Sequence, residues 1–208
     1  MFNTLKISLY SIVVGFPLPI ILAIISNQLR VGKFRKIFQV TTYLPHFIST
    51  MVMCGMIILF LSPTSGLLAN VFKSVGITTI PDFLSKPTSF AGVYVWSDVW
   101  QHIGWDSIIY LAALSAIDPT YYEAATMDGA SRLQKIRHIE LPLLLPTAMI
   151  LLILRAGSLL SVGFEKVLLL QNPLNLAGSE IISTYVYKVG MVNFQYSYST
   201  AIGLFNTV

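Results

Sequence analysis

Asp98, Gln101, His102 and Trp105 are three or four residues apart and share one face if their stretch is helical. A carboxylate, an amide, an imidazole and an indole on one face can hydrogen-bond and stack against a polar solute, or tie one helix to another. Asp106 follows directly, and Arg155 lies at comparable depth in a later apolar stretch. An unpaired charge at mid-bilayer costs roughly 3 kcal/mol on insertion scales, so Asp106 and Arg155 are expected to pair or to share one cavity. Catalytic chemistry finds less support. His46, His102 and His138 are scattered without ligand spacing, so no metal site is expected. No G-x-x-x-x-G-K-[ST] phosphate loop occurs, and no cofactor is implied.

The elements that must carry these residues are membrane helices. The chain has 208 residues, of which 55% are hydrophobic and 11% charged, and its mean hydropathy is +0.73. Such values belong to integral membrane proteins. A bilayer core about 30 Å thick needs roughly 20 apolar residues per helix. Residues 5–26, 47–62, 91–117 and 144–164 meet or approach that, and a fifth span starts near Tyr198 and is incomplete at Val208. Without period-two alternation, the chain reads as an all-α polytopic membrane protein of about five spans.

Local features fit that outline. Pro17 and Pro19 kink the first span, and residues 33–40 suit a basic amphipathic helix lying at the interface. Residues 63–87 read as an external loop with a short helix over 67–75. Cys54 packs as a small apolar residue, and Gly157 with Ser161 permits close helix packing. Trp96, Trp100 and Trp105 suit a belt or core role, with stacking on sugar CH faces as the competitor. His46 and His138 suit interfacial hydrogen bonding.

The net charge of +4 is unevenly spread. Arg30, Lys33, Arg35 and Lys36 follow the first span without an acid, and Arg132, Lys135 and Arg137 follow the third. The other connections hold only Lys73 and Lys86, then Lys166 and Lys188. Lys/Arg excess marks the cytoplasmic side, so the connections after the first and third spans face inward. The basic loop sets topology and meets lipid headgroups; nucleic acid is not an expected partner.

Residues 118–142 form a polar module between two apolar spans. Pro119 suits a first helical turn, and Thr120-x-x-Glu123 is a capping-box pattern for a helix running to about Met127. Asp128-Gly129 breaks that helix. Ser131-x-x-Gln134 caps a second helix, with Leu133, Ile136 and Ile139 on one side, and Pro142 is expected to close it. Two short helices with a glycine hinge make a rigid knob, suited to docking a soluble partner.

The sequence Glu123-Ala124-Ala125, then Gly129, then Ile139-x-Leu141-Pro142 resembles the signature of permeases in binding-protein-dependent ABC importers. Further stretches resemble the polysaccharide or lipo-oligosaccharide branch of the carbohydrate-uptake group. These are Asn3-Thr4-Leu5, Gly15-Phe16-Pro17, Tyr43-Leu44-Pro45-His46-Phe47-Ile48-Ser49, Gly104-Trp105, Gly163-Phe164-Glu165, Gln171-Asn172-Pro173 and Thr184-Tyr185-Val186-Tyr187.

The resemblance implies the transmembrane-domain fold of a type I importer, one domain over residues 1–208, in a bacterial cytoplasmic membrane. It implies pairing with a second permease as a heterodimer, an external solute-binding protein delivering a carbohydrate, and cytoplasmic ABC ATPase subunits. Glu123 would contact a basic residue of the ATPase and Gly129 would allow the turn. Ala124, Ala125, Asp128, Ile139, Leu141 and Pro142 would complete the docking element. ATP would be hydrolysed on a separate subunit, so the chain itself is not expected to be an enzyme. The pattern departs from the family at both ends, where the usual first span is missing and the last is barely begun, so the chain reads as a fragment.

Two other classes were weighed. A secondary transporter or channel explains the spans but not the Glu-Ala-Ala module. An integral-membrane phosphotransferase would use D-G-x-x-A-R, but in Asp128-Gly129-Ala130-Ser131-Arg132 the arginine comes one residue early. Asp128 is also the last aspartate, so the further aspartates that such a metal site needs are absent.

Overall fold

The computed structural model describes residues 1–29, 32–76 and 81–207. Arg30 of the basic connection, part of the 63–87 loop, and Val208 at the end of the expected fifth span lie outside them. No strand occurs among the described residues, in line with the all-α expectation.

Helices α1 (Phe2–Gly15) and α2 (Pro17–Gln28) form one apolar stretch, Phe2–Gln28, long enough to cross a membrane. Pro17 opens α2, where its missing N–H costs nothing. Helix α3 (Lys33–Tyr43) has no buried residue, and a 3₁₀ turn, Leu44–Phe47, follows it. Helix α4 (Thr50–Leu61) is capped by Ser49, whose hydroxyl accepts the Val52 N–H at 3.4 Å. Its 12 residues span about 18 Å, short of a bilayer core. The second expected span is therefore a broken one, counted only if Lys33–Phe47 and Thr50–Leu61 are taken together. Helix α5 (Leu67–Ser74) stands where a short loop helix was expected.

Helix α6 (Pro87–Ser115) has 29 residues, ample length to span. Its polar residues keep it out of the helices both long and apolar enough to cross, which among the described residues are Phe2–Gln28 and Arg132–Gly157. Then come α7 (Pro119–Met127), α8 (Arg132–Lys135), a π turn (Ile136–Glu140) and α9 (Leu141–Gly157). Three expectations are corrected here. Pro142 does not end the helix: the π turn, closed by the Leu141 N–H on the Ile136 carbonyl, widens the backbone where the proline ring would otherwise clash. The fourth span accordingly starts earlier than residue 144 and stops at Gly157, not 164. Gly157-Ser158 are poor helix formers. Gly157 and Ser161 thus share no helix, and a Cβ on Gly157 would meet nothing within 4 Å. The chain continues through α10 (Phe164–Leu170), α11 (Leu176–Ser179), α12 (Ile182–Tyr187), a second π turn (Lys188–Val192) and α13 (Tyr196–Thr207).

The chain divides into two compact units. The first comprises residues 1–12, 48–98 and 158–208. Its buried residues include Ile7, Cys54, Ile57, Val95, Val167 and Ile181. Asparagines stitch its irregular parts: Asn3 Nδ2 donates to the carbonyls of Ala177 (2.9 Å) and Glu180 (3.1 Å), and Asn172 and Asn175 both donate to the Leu84 carbonyl. The second comprises residues 13–47 and 99–157, around a core of Ala23, Ile24, Tyr110, Leu114, Leu144 and Ala148. There α6 passes so close to α3 that a Cβ on Gly104 would lie 2.0 Å from the Thr42 carbonyl oxygen.

Candidate functional site

The polar module folds as two helices joined by a closed turn. Asp118, not Thr120, is the N-cap of α7; its carboxylate accepts the Thr120 N–H at 2.9 Å. The Thr120-x-x-Glu123 box therefore does not form, because Pro119 at the first helical position moves the cap back to Asp118. That backbone bond and the Thr120 side chain hold the Asp118 carboxyl below its usual range.

Helix α7 ends in a Schellman closure. The Gly129 N–H donates to the Thr126 carbonyl (3.1 Å) and the Ala130 N–H to the Ala125 carbonyl (2.9 Å). The motif needs a left-handed residue, and Gly129 has φ of 75°. Ser131 then caps α8 in a complete capping box with Gln134, as expected. Lys135 Nζ reaches back to Thr126 Oγ1 at 2.8 Å, fastening the two helices together. On this knob Glu123, Ala124, Asp128 and Gly129 are exposed, Ala125 and Ile139 half-buried, and Leu141 and Pro142 exposed. Met127 is 88% and Leu133 75% exposed, so apolar surface accompanies the charged groups.

The residue between Ile139 and Leu141 was passed over in the motif. Glu140 is 0% exposed. Its Oε1 accepts from Asn27 Nδ2 (3.1 Å), Gln28 Nε2 (2.8 Å) and the Tyr122 hydroxyl (3.3 Å). Burial, and then the Glu140 charge, push the Tyr122 phenol up to about 12, so it stays a proton donor at any working pH. No local pattern could have shown this, since Asn27 and Gln28 are more than a hundred positions away. The one available signal was that Glu140 is the lone acid in Arg132–Gly157, at the edge of its apolar run and beside the basic residues Arg137 and His138.

The polar residues of α6 find separate partners. Asp98, in the first unit, accepts from Lys166 Nζ at 3.2 Å; Lys166 is buried and also lies 5.1 Å from the Tyr94 ring centroid. In the second unit Gln101 is buried. His46 stacks on Trp105 with centroids 4.3 Å apart and meets His102 edge-on at 5.3 Å. Asp106 accepts from Arg155 Nη2 at 2.5 Å, the ion pair expected from the sequence. An apolar groove of about 620 Å³ in the first unit, lined by residues including Ile57, Phe60, Val93 and Trp96, contains none of Asp98, Gln101, His102, Trp105, Asp106 and Arg155. His138 Nδ1 lies 3.0 Å from the Gln134 carbonyl. Among the described residues, no cluster of three or more His, Cys, Asp or Glu side chains could hold a metal.

Residues 15–208 match the family described as the binding-protein-dependent transport system inner membrane component. The chain belongs to this family. It is 41% identical over 203 residues to the polygalacturonan/rhamnogalacturonan transport system permease protein YteP of Bacillus subtilis, covering 98% of this chain and 63% of that one. Protein LplB of the same organism is 39% identical over 206 residues, covering 99% and 64%. The chain thus spans just under two thirds of the length of these relatives.

Among solved structures, one of a bacterial ABC transporter involved in the import of the acidic polysaccharide alginate has a chain 42% identical to this one. The TM-score is 0.96, and the match covers all of this chain and 72% of that one. A second structure, of the alginate transporter with an alginate pentasaccharide-bound periplasmic protein, matches equally well. This inner membrane component therefore has the helical fold of an ABC importer's membrane domain.

Proposed function

We propose that the chain is the membrane-spanning permease part of an ATP-driven carbohydrate importer, one transmembrane domain whose knob at residues 118–142 docks on a cytoplasmic ATPase. The observation that carries this is the knob itself. It is a turn locked by the Gly129 and Ala130 hydrogen bonds, presenting Glu123, Ala124, Asp128, Met127 and Leu133 to solvent. A rigid, exposed element with mixed apolar and acidic surface suits a protein cleft lined by basic and apolar groups.

ATP is hydrolysed on the partner in this reading. Lys/Arg bias sets the knob on the cytoplasmic side. A second permease subunit completes the path, and an external binding protein delivers the solute. The relatives named for polygalacturonan/rhamnogalacturonan and for alginate support an oligosaccharide or polysaccharide fragment as cargo. His102, Trp105 and the Asp106–Arg155 pair are assigned to the wall of the path. Buried Gln101 is assigned to its support.

The test is co-purification of the full-length permease and its partner with candidate ATPases, wild type beside Glu123→Lys and Gly129→Asp. Wild type should retain an ATPase and both variants should lose it. If neither variant loosens a retained ATPase, the docking role is wrong.

A further inference from the structure

We infer that Glu140 is a positioning residue that ties the knob to the end of the first span, so that a displacement of the knob is passed to α2. The inference rests on the docking role proposed above. Glu140 sits at the junction of the π turn and α9, and its one oxygen, Oε1, gathers donors from two other elements: Asn27 and Gln28 at the end of α2, and Tyr122 in α7. Tyr122 is the immediate neighbour of Glu123, so the tie starts beside the proposed docking surface.

The arrangement is poorly suited to stability alone. Oε2 is buried without a hydrogen-bond partner among the described residues, and the donors to Oε1 are all neutral. A buried acceptor left unpaired is costly, and an apolar residue at this position would avoid that cost. What a carboxylate adds is a second acceptor. As the knob tilts, a donor can pass from Oε1 to Oε2 without being stranded in an apolar setting, and the tie stays closed through the stroke.

The experiment uses the full-length permease assembled with its partner, ATPase and binding protein in lipid nanodiscs and proteoliposomes. The readout is carbohydrate delivered per ATP hydrolysed. A merely structural role lowers assembly and both rates together, leaving the ratio alone. In Glu140→Ala, and in Asn27→Ala/Gln28→Ala, the ATPase should stay bound and keep hydrolysing. The ratio should fall about tenfold, a size typical of a coupling free energy. Glu140→Gln keeps one carbonyl oxygen for the same donors but puts an NH2 donor where the second acceptor was, so its ratio should fall as well, by a smaller factor than in Glu140→Ala.

An unchanged ratio in both alanine variants overturns the proposal, as does a Glu140→Gln ratio equal to that of wild type. Should Glu140→Ala fail to assemble, the Asn27/Gln28 variant, which leaves the helix bearing Glu140 untouched, decides alone. Failure of the wild type to hold any ATPase would instead overturn the docking role, and the tie with it.

Discussion

At the residue scale, two glycines separate close approach from mere smallness. A Cβ at Gly104 would stand 2.0 Å from a backbone oxygen, Thr42 O, which cannot swing aside as a side chain can. At Gly157 it would meet nothing within 4 Å. Gly104→Ala should therefore force α6 from α3 and cost about 1–3 kcal/mol, the usual range for overpacking, whereas Gly157→Ala should leave stability unchanged. Thermal unfolding of the purified protein in detergent checks both; equal midpoints would show that the contact at Gly104 relaxes freely. Residues whose role is set by near neighbours were legible in the sequence: Gly129 at its turn and Ser131 at its cap needed only the next few positions. The cap of α7 falls at Asp118, two positions before the capping pattern at Thr120, because Pro119 takes the first helical position. Glu140 and Lys166 were invisible, since burial by distant elements leaves no mark on local spacing.

At the element scale, the ion pair between α6 and α9 invites a direct measurement. Asp106 and Arg155 are part-buried, and Asp106→Asn takes from Arg155 the carboxylate that accepts its Nη2 proton, in an apolar segment. Asp106→Asn should lower the yield of monodisperse protein several-fold. Asp106→Asn/Arg155→Gln should recover about half of the loss, because the charge deprived of that carboxylate is gone. Absence of recovery would mean that Arg155 depends on other partners. This pairing was readable because two charges in apolar stretches have few alternatives. Helix limits were less readable. Apolar runs placed the fourth span at residues 144–164, yet the helix already runs from Arg132, because a π turn carries it past Pro142. The α4 region reads as apolar enough to span, but Ser49 caps a helix of only 12 residues.

At the scale of the whole molecule, the proposed importer and the secondary transporter considered from the sequence differ in their energy source. Uptake by the full-length permease with its partners should stop without ATP, and also without the external binding protein, and should persist when ion gradients are collapsed. Measured uptake of labelled oligosaccharide into vesicles decides; uptake driven by an ion gradient alone would make this a secondary transporter. The module at residues 118–142 can serve an ATP-driven device only if its outward aspect is aimed correctly, and that aim has a single local origin. A π turn holds one residue more than the α turn it replaces, and one residue is about 100° of helical rotation. The azimuth of the knob about the axis of Arg132–Gly157 is therefore set by one surplus residue between Ile136 and Glu140. Losing that residue would leave every docking side chain present and chemically intact, yet facing more than a quarter turn away from its present bearing.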